Sequence, residues 1–412
     1  MINAAAVIMG GGQGKRLQPL TRDRAKPAVQ IGGRYRQVDI PISNCINSDI
    51  RKIFLLTQFN SVSLHQHVTS TYRFDQFNEG FIRILAAQQT PSSEAWFQGT
   101  ADAVRQGFRY FLDSEPDYIV VLSGDQLYRL DIADLVAQHV KAGADVTIAA
   151  KPVDREEAGS LGILRADSSN RIVQFVEKPG STSPVLDEFR APMYKDERFL
   201  ASMGIYVFNI EVLAKLLDND KLDFGKEIIP GSISTQKVNA YLFDGYWKDI
   251  GTIGSFWEEN LHFTDRVPEF NFYDQRAPIF TYMRYLPPSK INCCDFNQSL
   301  LAEGCIISGH RILHSVIGTR AVIGEGTVIE HSYIMGSDYY GAEVKHSDRP
   351  APGIGRDCFI RNAIVDKNVH IGDGAYLSPE GKPKEFDGPN YSIRDGILCI
   401  PKNTIIPPGA RI

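Results

Sequence analysis

From about residue 290 onward, small apolar residues return at every sixth position, and few folds can use such a spacing. Val316, Val322, Val328 and Ile334 are six apart, with Gly318 and Gly324 at matching places. The same spacing returns in Val365, Ile371 and Leu377, and again in Ile400, Ile406 and Ile412. A short strand, a turn of Gly, Asp or Asn, and then the same phase again describe a parallel β-helix, three such strands making one coil. An irregular antiparallel domain would not keep the phase. The phase breaks between Tyr339 and Pro352 and between Pro379 and Tyr391, which predicts loops leaving the coil there.

The chain ahead of this repeat reads differently. An apolar run, Ala4 to Met9, opens into Gly10–Leu17, GGGQGKRL, and the basic segment Arg24-Ala25-Lys26-Pro27 follows. This is a buried first strand opening into a loop that approaches an anion. The loop is not a Walker A motif: only three residues separate Gly10 from Gly14, and Arg16 stands where Ser or Thr is required. Nor is it a dinucleotide fingerprint, because the third glycine's place holds Leu17. A tight glycine turn alone would be the plainer reading. Arg16 and Lys26 shift the balance, since loop amides plus two cations leave positive potential that an anion would satisfy.

Further buried strands are predicted at Lys52–Thr57, Phe81–Leu85, Tyr118–Leu122 and Asp145–Ala150, with helices over Val38–Ser48 and Leu130–Ala142. Strands alternating with helices imply an α/β domain, a mostly parallel sheet covered by helices on both faces. Its ligands belong at the carboxyl ends of the strands, which puts Gly10–Arg16 and Asp125 on one rim. Asp125 on its own reads as a helix cap, and Asp249, in GYWKDIGT, as a turn residue ahead of a helix. Beside a phosphate loop the sharper reading is a pair of carboxylates holding one Mg²⁺.

At 412 residues the chain has room for two or three domains, divided here into 1–290 and 291–412. A net charge of −5 without a basic stripe argues against a nucleic-acid partner. No apolar run reaches the roughly 18 residues of a membrane span. A cytoplasmic protein is expected, with no membrane association. Cys45, Cys293, Cys294, Cys305, Cys358 and Cys399 have no metal-ligand spacing and are read as reduced thiols.

The stretches GGGQGKRL, RAKPAV, SNCINS, WFQGTADAVRQ, SGDQLYR, VEKP, SMGIYVF, FGKEIIP and YWKDIGT, in this order, resemble the ADP-glucose pyrophosphorylases, closest to the cyanobacterial and plant type. The resemblance covers nearly the whole chain. It implies a Rossmann-like nucleotidyltransferase domain followed by a C-terminal left-handed parallel β-helix, assembled as a homotetramer. It also implies transfer of AMP from ATP to glucose 1-phosphate, for glycogen or starch-type α-glucan synthesis. Carried over by position, Gly10, Gly11, Gly12, Gly14, Arg16 and Lys26 would hold the triphosphate, and Gln89 and Gly99 the adenine. Asp125 and Asp249 would hold Mg²⁺, with Arg16, Lys26 and Asp125 as the catalytic set. Phe97, Gly162, Glu177, Lys178 and Ser202 would bind glucose 1-phosphate.

The same resemblance implies regulation by small phosphorylated effectors, with Lys367 and Lys402 at the effector site and Gln58 and Trp96 passing activation to the catalytic centre. Gln13 and Asp23 stand where relatives activated by fructose 1,6-bisphosphate have basic residues, which argues against that activator. Lys15 replaces a usual Thr or Ser, and Gln126 a frequent His. Three other functions compete: the same chemistry with UTP or GTP, a non-catalytic regulatory subunit, and a hexapeptide-repeat acyltransferase. The second would be expected to lose the cations kept here. The third lacks a catalytic histidine in context, since His310, His314, His331 and His370 are scattered among coil positions.

Overall fold

The computed structural model describes residues 3–75, 77, 80–88, 96–194, 196–341 and 350–412. The first domain contains β1 (Ala4–Met9), β2 (Gln30–Ile31), β3 (Tyr35–Arg36), β4 (Lys52–Thr57), β5 (Phe81–Ala86), β6 (Tyr118–Ser123), β7 (Gln126–Tyr128), β8 (Val146–Val153), β9 (Gly162–Ala166), β10 (Ile172–Glu177), β11 (Phe199–Asn209), β12 (Val238–Leu242) and β13 (Trp247–Asp249). Nine of these form one sheet in the order β10-β9-β11-β6-β1-β4-β5, with β8 on β11 and β12 on β8.

The strands predicted from apolar runs, β5, β4, β1 and β6, are parallel to one another. Along β1, Ala4, Ala6 and Ile8 enter the core on one face while Ala5 and Val7 enter the core on the other. Burial on both faces is why the run reads as continuous rather than alternating. Helices Asp39–Asn47 and Ile132–Ala142 form close to where they were expected, the second capped by the Asp131 side chain. A strand over SMGIYVF, within β11, was expected, but not its antiparallel direction or its partners β9 and β10, whose runs are broken by polar residues such as Arg165 and Gln174. They build the wall of the site described below.

The glycine loop differs in one respect from a simple strand-to-helix turn. It leads into a single 3₁₀ turn, Lys15–Leu17, and the first α-helix begins only at Asp39. Between them lies the β2–β3 hairpin, whose Gly33 carbonyl accepts a hydrogen bond from Thr319 N–H at 3.2 Å, tying the first domain to the second.

Three stacks of short parallel strands, beginning at Lys290–Ile291, Asp295–Asn297 and Leu300–Leu301, make the second domain. The six-residue period is real, but the first three positions of its first block are read one residue out of phase, while Ile334 lies inside the coil as expected. Ile317, Ile323 and Ile329 fill the coil, whereas Val316, Val322 and Val328 face outward. Adjacent β-branched residues at each strand make the two phases look alike in sequence. Val316 is nonetheless fully buried, because its face, with Tyr333, Ile364 and Cys399, packs in the same core as Ile253 and Phe256 of helix Ile253–His262. The second break of phase is a β-hairpin, Phe386–Asp387 with Ser392–Arg394, rather than a plain loop. The first break includes 342–349, outside the described residues.

All six cysteines are free thiols, with Cys45, Cys305, Cys358 and Cys399 buried and Cys293 exposed. Among the described residues no helix is long and apolar enough to cross a membrane.

Candidate active site

The site is assembled at the carboxyl ends of β1 and β6. Gly10 continues the parallel ladder, its N–H bonded to Leu56 O at 2.7 Å, so that amide is not free for a ligand. Gly11 and Gly12 are exposed, and Gly12 and Gly14 have φ of 117° and 61°. Those angles need glycine, and they turn the chain so that Arg16 projects from the loop. Its side chain is 68% exposed and stands 3.9 Å from Asp249.

Asp125 follows the end of β6, where Gly124 N–H bonds Met9 O at 3.2 Å. The chain then turns into β7, whose antiparallel pairing with β13 sets Gln126 opposite Asp249. Two carboxylates 124 positions apart in the numbering are thereby brought to one place. Lys26 lies between them, with Nζ 2.5 Å from Asp125 Oδ2 and 3.9 Å from Asp249 Oδ1. Ser123 also donates a hydrogen bond to Asp125.

The two acids titrate in opposite directions. Burial pushes both up, but at Asp125 the charge and hydrogen bond of Lys26 together outweigh it and hold the carboxyl below its usual range. At Asp249 burial prevails over Lys26, reinforced by the Asp125 charge, and the carboxyl is raised. Lys26 thus holds the nearer of two partly buried carboxylates ionised more firmly than the other. Their hard oxygens suit Mg²⁺, which is commonly held by one or two carboxylates together with substrate phosphates. No group of three or more His, Cys, Asp or Glu able to hold a metal occurs among the described residues, so the remaining ligands of such an ion would be water or substrate oxygens.

Beyond the carboxylates opens a cavity of about 290 Å³, lined by Arg16, Gly162, Glu177, Lys178, Ser202 and Asp249. Gly162 at the start of β9 is paired with Glu177 at the end of β10. A Cβ at Gly162 or Gly225 would come within 2.7 or 3.0 Å of the Glu177 carboxylate, so glycine at both keeps room for that group. Lys178 adopts φ 49°, unusual for a non-glycine residue, with its N–H held by Leu161 O at 3.0 Å and its Nζ 3.1 Å from Glu177. Ser202 lies where the β11–β8 register shifts, between Ser202 and Tyr206. The irregularity turns this part of β11 toward the cavity.

Sequence reasoning missed Thr100, Tyr206, Asp223, Phe224 and Trp247, which line the same cavity, and noted Gln126, which also lines it, only as a departure from relatives. Asp223 looks from the sequence like a helix cap, and it does accept from Lys226 N–H at 3.0 Å. Trp247 was readable only as a neighbour of Asp249. Phe97 and Gly99 are not among the lining residues: Phe97 packs against the core under the sheet. Gly99 sits against the Leu222 backbone, where a Cβ would overlap the carbonyl. Gly99→Ala should therefore displace Leu222–Phe224 and raise KM for the cavity's ligand by about tenfold. An unchanged KM in steady-state kinetics would show that this contact is slack. Gln89 lies outside the described residues.

The four residues assigned to regulation fall in two places. Gln58 follows β4 beside Gly11, and the exposed Trp96 stacks on Phe59 with ring centroids 6.5 Å apart. Lys367 and Lys402 converge on Asp338 of the β-helix, at 2.6 and 3.3 Å. Two residues before Lys26, Arg24 reaches across to Asp366 in a buried double hydrogen bond of 2.7 and 2.6 Å. The charges of Arg36 and Arg284 also reach Lys367. Lys402 further lines an open cleft of about 750 Å³ between Gln18–Asp23 and the hairpin at 387–394. The histidines are less scattered than the sequence suggests: His314 and His331 meet edge to face on successive coils, ring centroids 5.2 Å apart, with His331 O accepting from Trp257 of the first domain. They serve the domain junction.

The nucleotidyl transferase family matches residues 5–266 of this chain, and the GLGC left-handed parallel β-helix domain matches residues 284–410.

Proposed function

Because the chain belongs to the nucleotidyl transferase family, we propose that it moves AMP from ATP to glucose 1-phosphate, releasing pyrophosphate and giving ADP-glucose. The observation that carries this reading is one cavity in which Arg16 of the glycine loop and Asp249 face Glu177, Lys178, Ser202 and Asp223. A phosphate-binding end and a hydroxyl-binding end are what a sugar 1-phosphate requires. The presence of the β-helix domain supports the ADP-glucose branch over UTP- or GTP-dependent relatives.

In the reaction a phosphate oxygen of glucose 1-phosphate bonds to the α-phosphorus of ATP while the bond to the bridging oxygen breaks and pyrophosphate departs. The attacking oxygen is already ionised, so no general base is needed and catalysis is positioning and electrostatics. Lys178 orients the sugar phosphate, Glu177 the sugar hydroxyls. Arg16, exposed at the end of the loop, meets the charge developing on the triphosphate, and Lys26 keeps Asp125 ionised and in place. Asp125 and Asp249 would hold Mg²⁺, which when bound supplies charge neutralisation for the phosphates. A panel of ATP, UTP and GTP against glucose, mannose and galactose 1-phosphates, followed by pyrophosphate release, tests the reading. Preference for UTP or GTP would overturn the substrate assignment, and no turnover with any pair would favour a regulatory subunit.

We also propose that the basic cluster around Asp338 receives a small phosphorylated effector. Burial lowers the Lys367 ammonium to about 8, against the pull of Asp338. A lysine lowered in this way penalises the folded state at neutral pH, and the penalty is lifted as pH rises through the folded value. Anion binding runs the other way, because it needs the ammonium. Sulfate, whose own charge is constant in this range, should bind most tightly below pH 7.5 and lose about tenfold by pH 9.5. Titration calorimetry showing pH-independent binding, or equal binding to Lys367→Met, would remove Lys367 from the effector site.

A further inference from the structure

We infer that Gln126 is a residue that selects the sugar, by donating a hydrogen bond from its side-chain amide to one sugar hydroxyl; this rests on the sugar 1-phosphate reading above. Gln126 is only 9% exposed and lines the cavity. Its Oε1 accepts from Trp247 Nε1 at 3.1 Å in a buried hydrogen bond. An indole N–H can only donate, so chemistry alone fixes which end of the amide faces Trp247. The NH₂ must then point the other way.

That other way leads into the cavity. Nε2 makes no hydrogen bond to any described residue, and a Cβ added at Gly204 would stand 3.6 Å from it. Gly204 has φ 68°, lies within the irregular part of β11 and lines the cavity with Ser202. Glycine at this point leaves the amide nitrogen open to a ligand instead of shielding it. An NH₂ at the cavity wall with no protein partner is available to a group bound there.

The chemistry of the cavity wall separates this donor from its neighbours. Glu177 and Asp223 are acceptors and need a hydroxyl that donates. Gln126 Nε2 is a donor and needs a hydroxyl oxygen that accepts. Its orientation does not depend on pH, and Trp247 prevents the amide from turning over. The position opposite it in the ladder is Asp249, so the donor stands beside the proposed metal carboxylates and is held by the same β7–β13 pairing.

Replacement of single glucose hydroxyls distinguishes donor from acceptor partners without altering the protein. The wild-type enzyme is assayed for pyrophosphate release with glucose 1-phosphate and with its 2-, 3-, 4- and 6-deoxy and deoxyfluoro analogues. A fluorine accepts weakly and never donates. At the position facing Gln126 the deoxy analogue should lose about tenfold in kcat/KM, whereas the fluoro analogue, still able to accept, should lose no more than about threefold. At positions facing Glu177 or Asp223 the two analogues should fall together. In Gln126→Met, of similar length, the difference between deoxy and fluoro at the first position should vanish. Equal losses for both analogues at every position in the wild type would overturn the inference, as would a deoxy–fluoro difference left intact in Gln126→Met. If glucose 1-phosphate itself supports no turnover, the underlying reading has failed, and this inference falls with it.

Discussion

Asp125→Ala should leave the protein folded and reduce turnover by about 10³-fold or more. The side chain projects from a turn after β6 rather than from the apolar core, so no large cavity is created by its loss. What it holds is charge. Lys26 is 2.5 Å away and its side chain is only 11% exposed, so it would keep a buried ammonium with Asp249, at 3.9 Å, as its remaining carboxylate. Loss of a single well-placed charge contact in a catalytic centre costs about 3–4 kcal/mol. Asp125 is assigned two such contacts, one to Lys26 and one to the proposed Mg²⁺. Asp125→Asn preserves shape and the hydrogen bond from Ser123 and should be almost as inactive, which separates charge from geometry. Circular dichroism and pyrophosphate release at saturating Mg²⁺ provide the check. Near-normal kcat in either variant would refute the carboxylate's role.

The parts of this site legible in the sequence were those whose chemistry is unusual for their setting. Four glycines at the end of an apolar strand, two nearby cations, and an Asp directly after the most apolar run all contradict simple packing, so each points outward to a ligand. Asp223 and Thr100 were hidden because each also has an ordinary structural duty: Asp223 caps a helical turn, and Thr100 accepts from Phe224 N–H. Gln126 was noticed only as a departure from relatives, since its importance depends on Trp247, which is far away in sequence. Strands β9 and β10 escaped because partly exposed strands carry polar residues that break the apolar run. The β-helix was legible through its period. Its phase was legible in the later blocks but not at Val316, Val322 and Val328, because one outward face is buried against the first domain and therefore carries Val316 and Tyr333 where solvent-facing residues would normally be polar.

That buried face also contains the contact whose loss should most affect stability. Arg24 and Asp366 form an ion pair with side chains 7% and 1% exposed, one from each domain. Asp366→Ala would leave the guanidinium buried and unpaired, at a cost of about 3–5 kcal/mol. Arg24→Ala would do the same to the carboxylate, relieved in part because Lys367 N–H already donates to Asp366 at 2.6 Å. The double variant should cost less than the sum of the two, since neither charge is then stranded. Urea unfolding of the four proteins completes the cycle; additive effects below about 1 kcal/mol each would show the pair to be incidental. Its functional effect follows from position. Arg24 and Lys26 are separated by Ala25 alone, and Lys26 leads into a 3₁₀ turn fixed by Pro27. The segment therefore ties Asp366, next to Lys367, to the carboxylate pair of the catalytic centre. Asp366→Ala should blunt any effector response while leaving some basal turnover, and a response of undiminished size would show that the two sites communicate by another route.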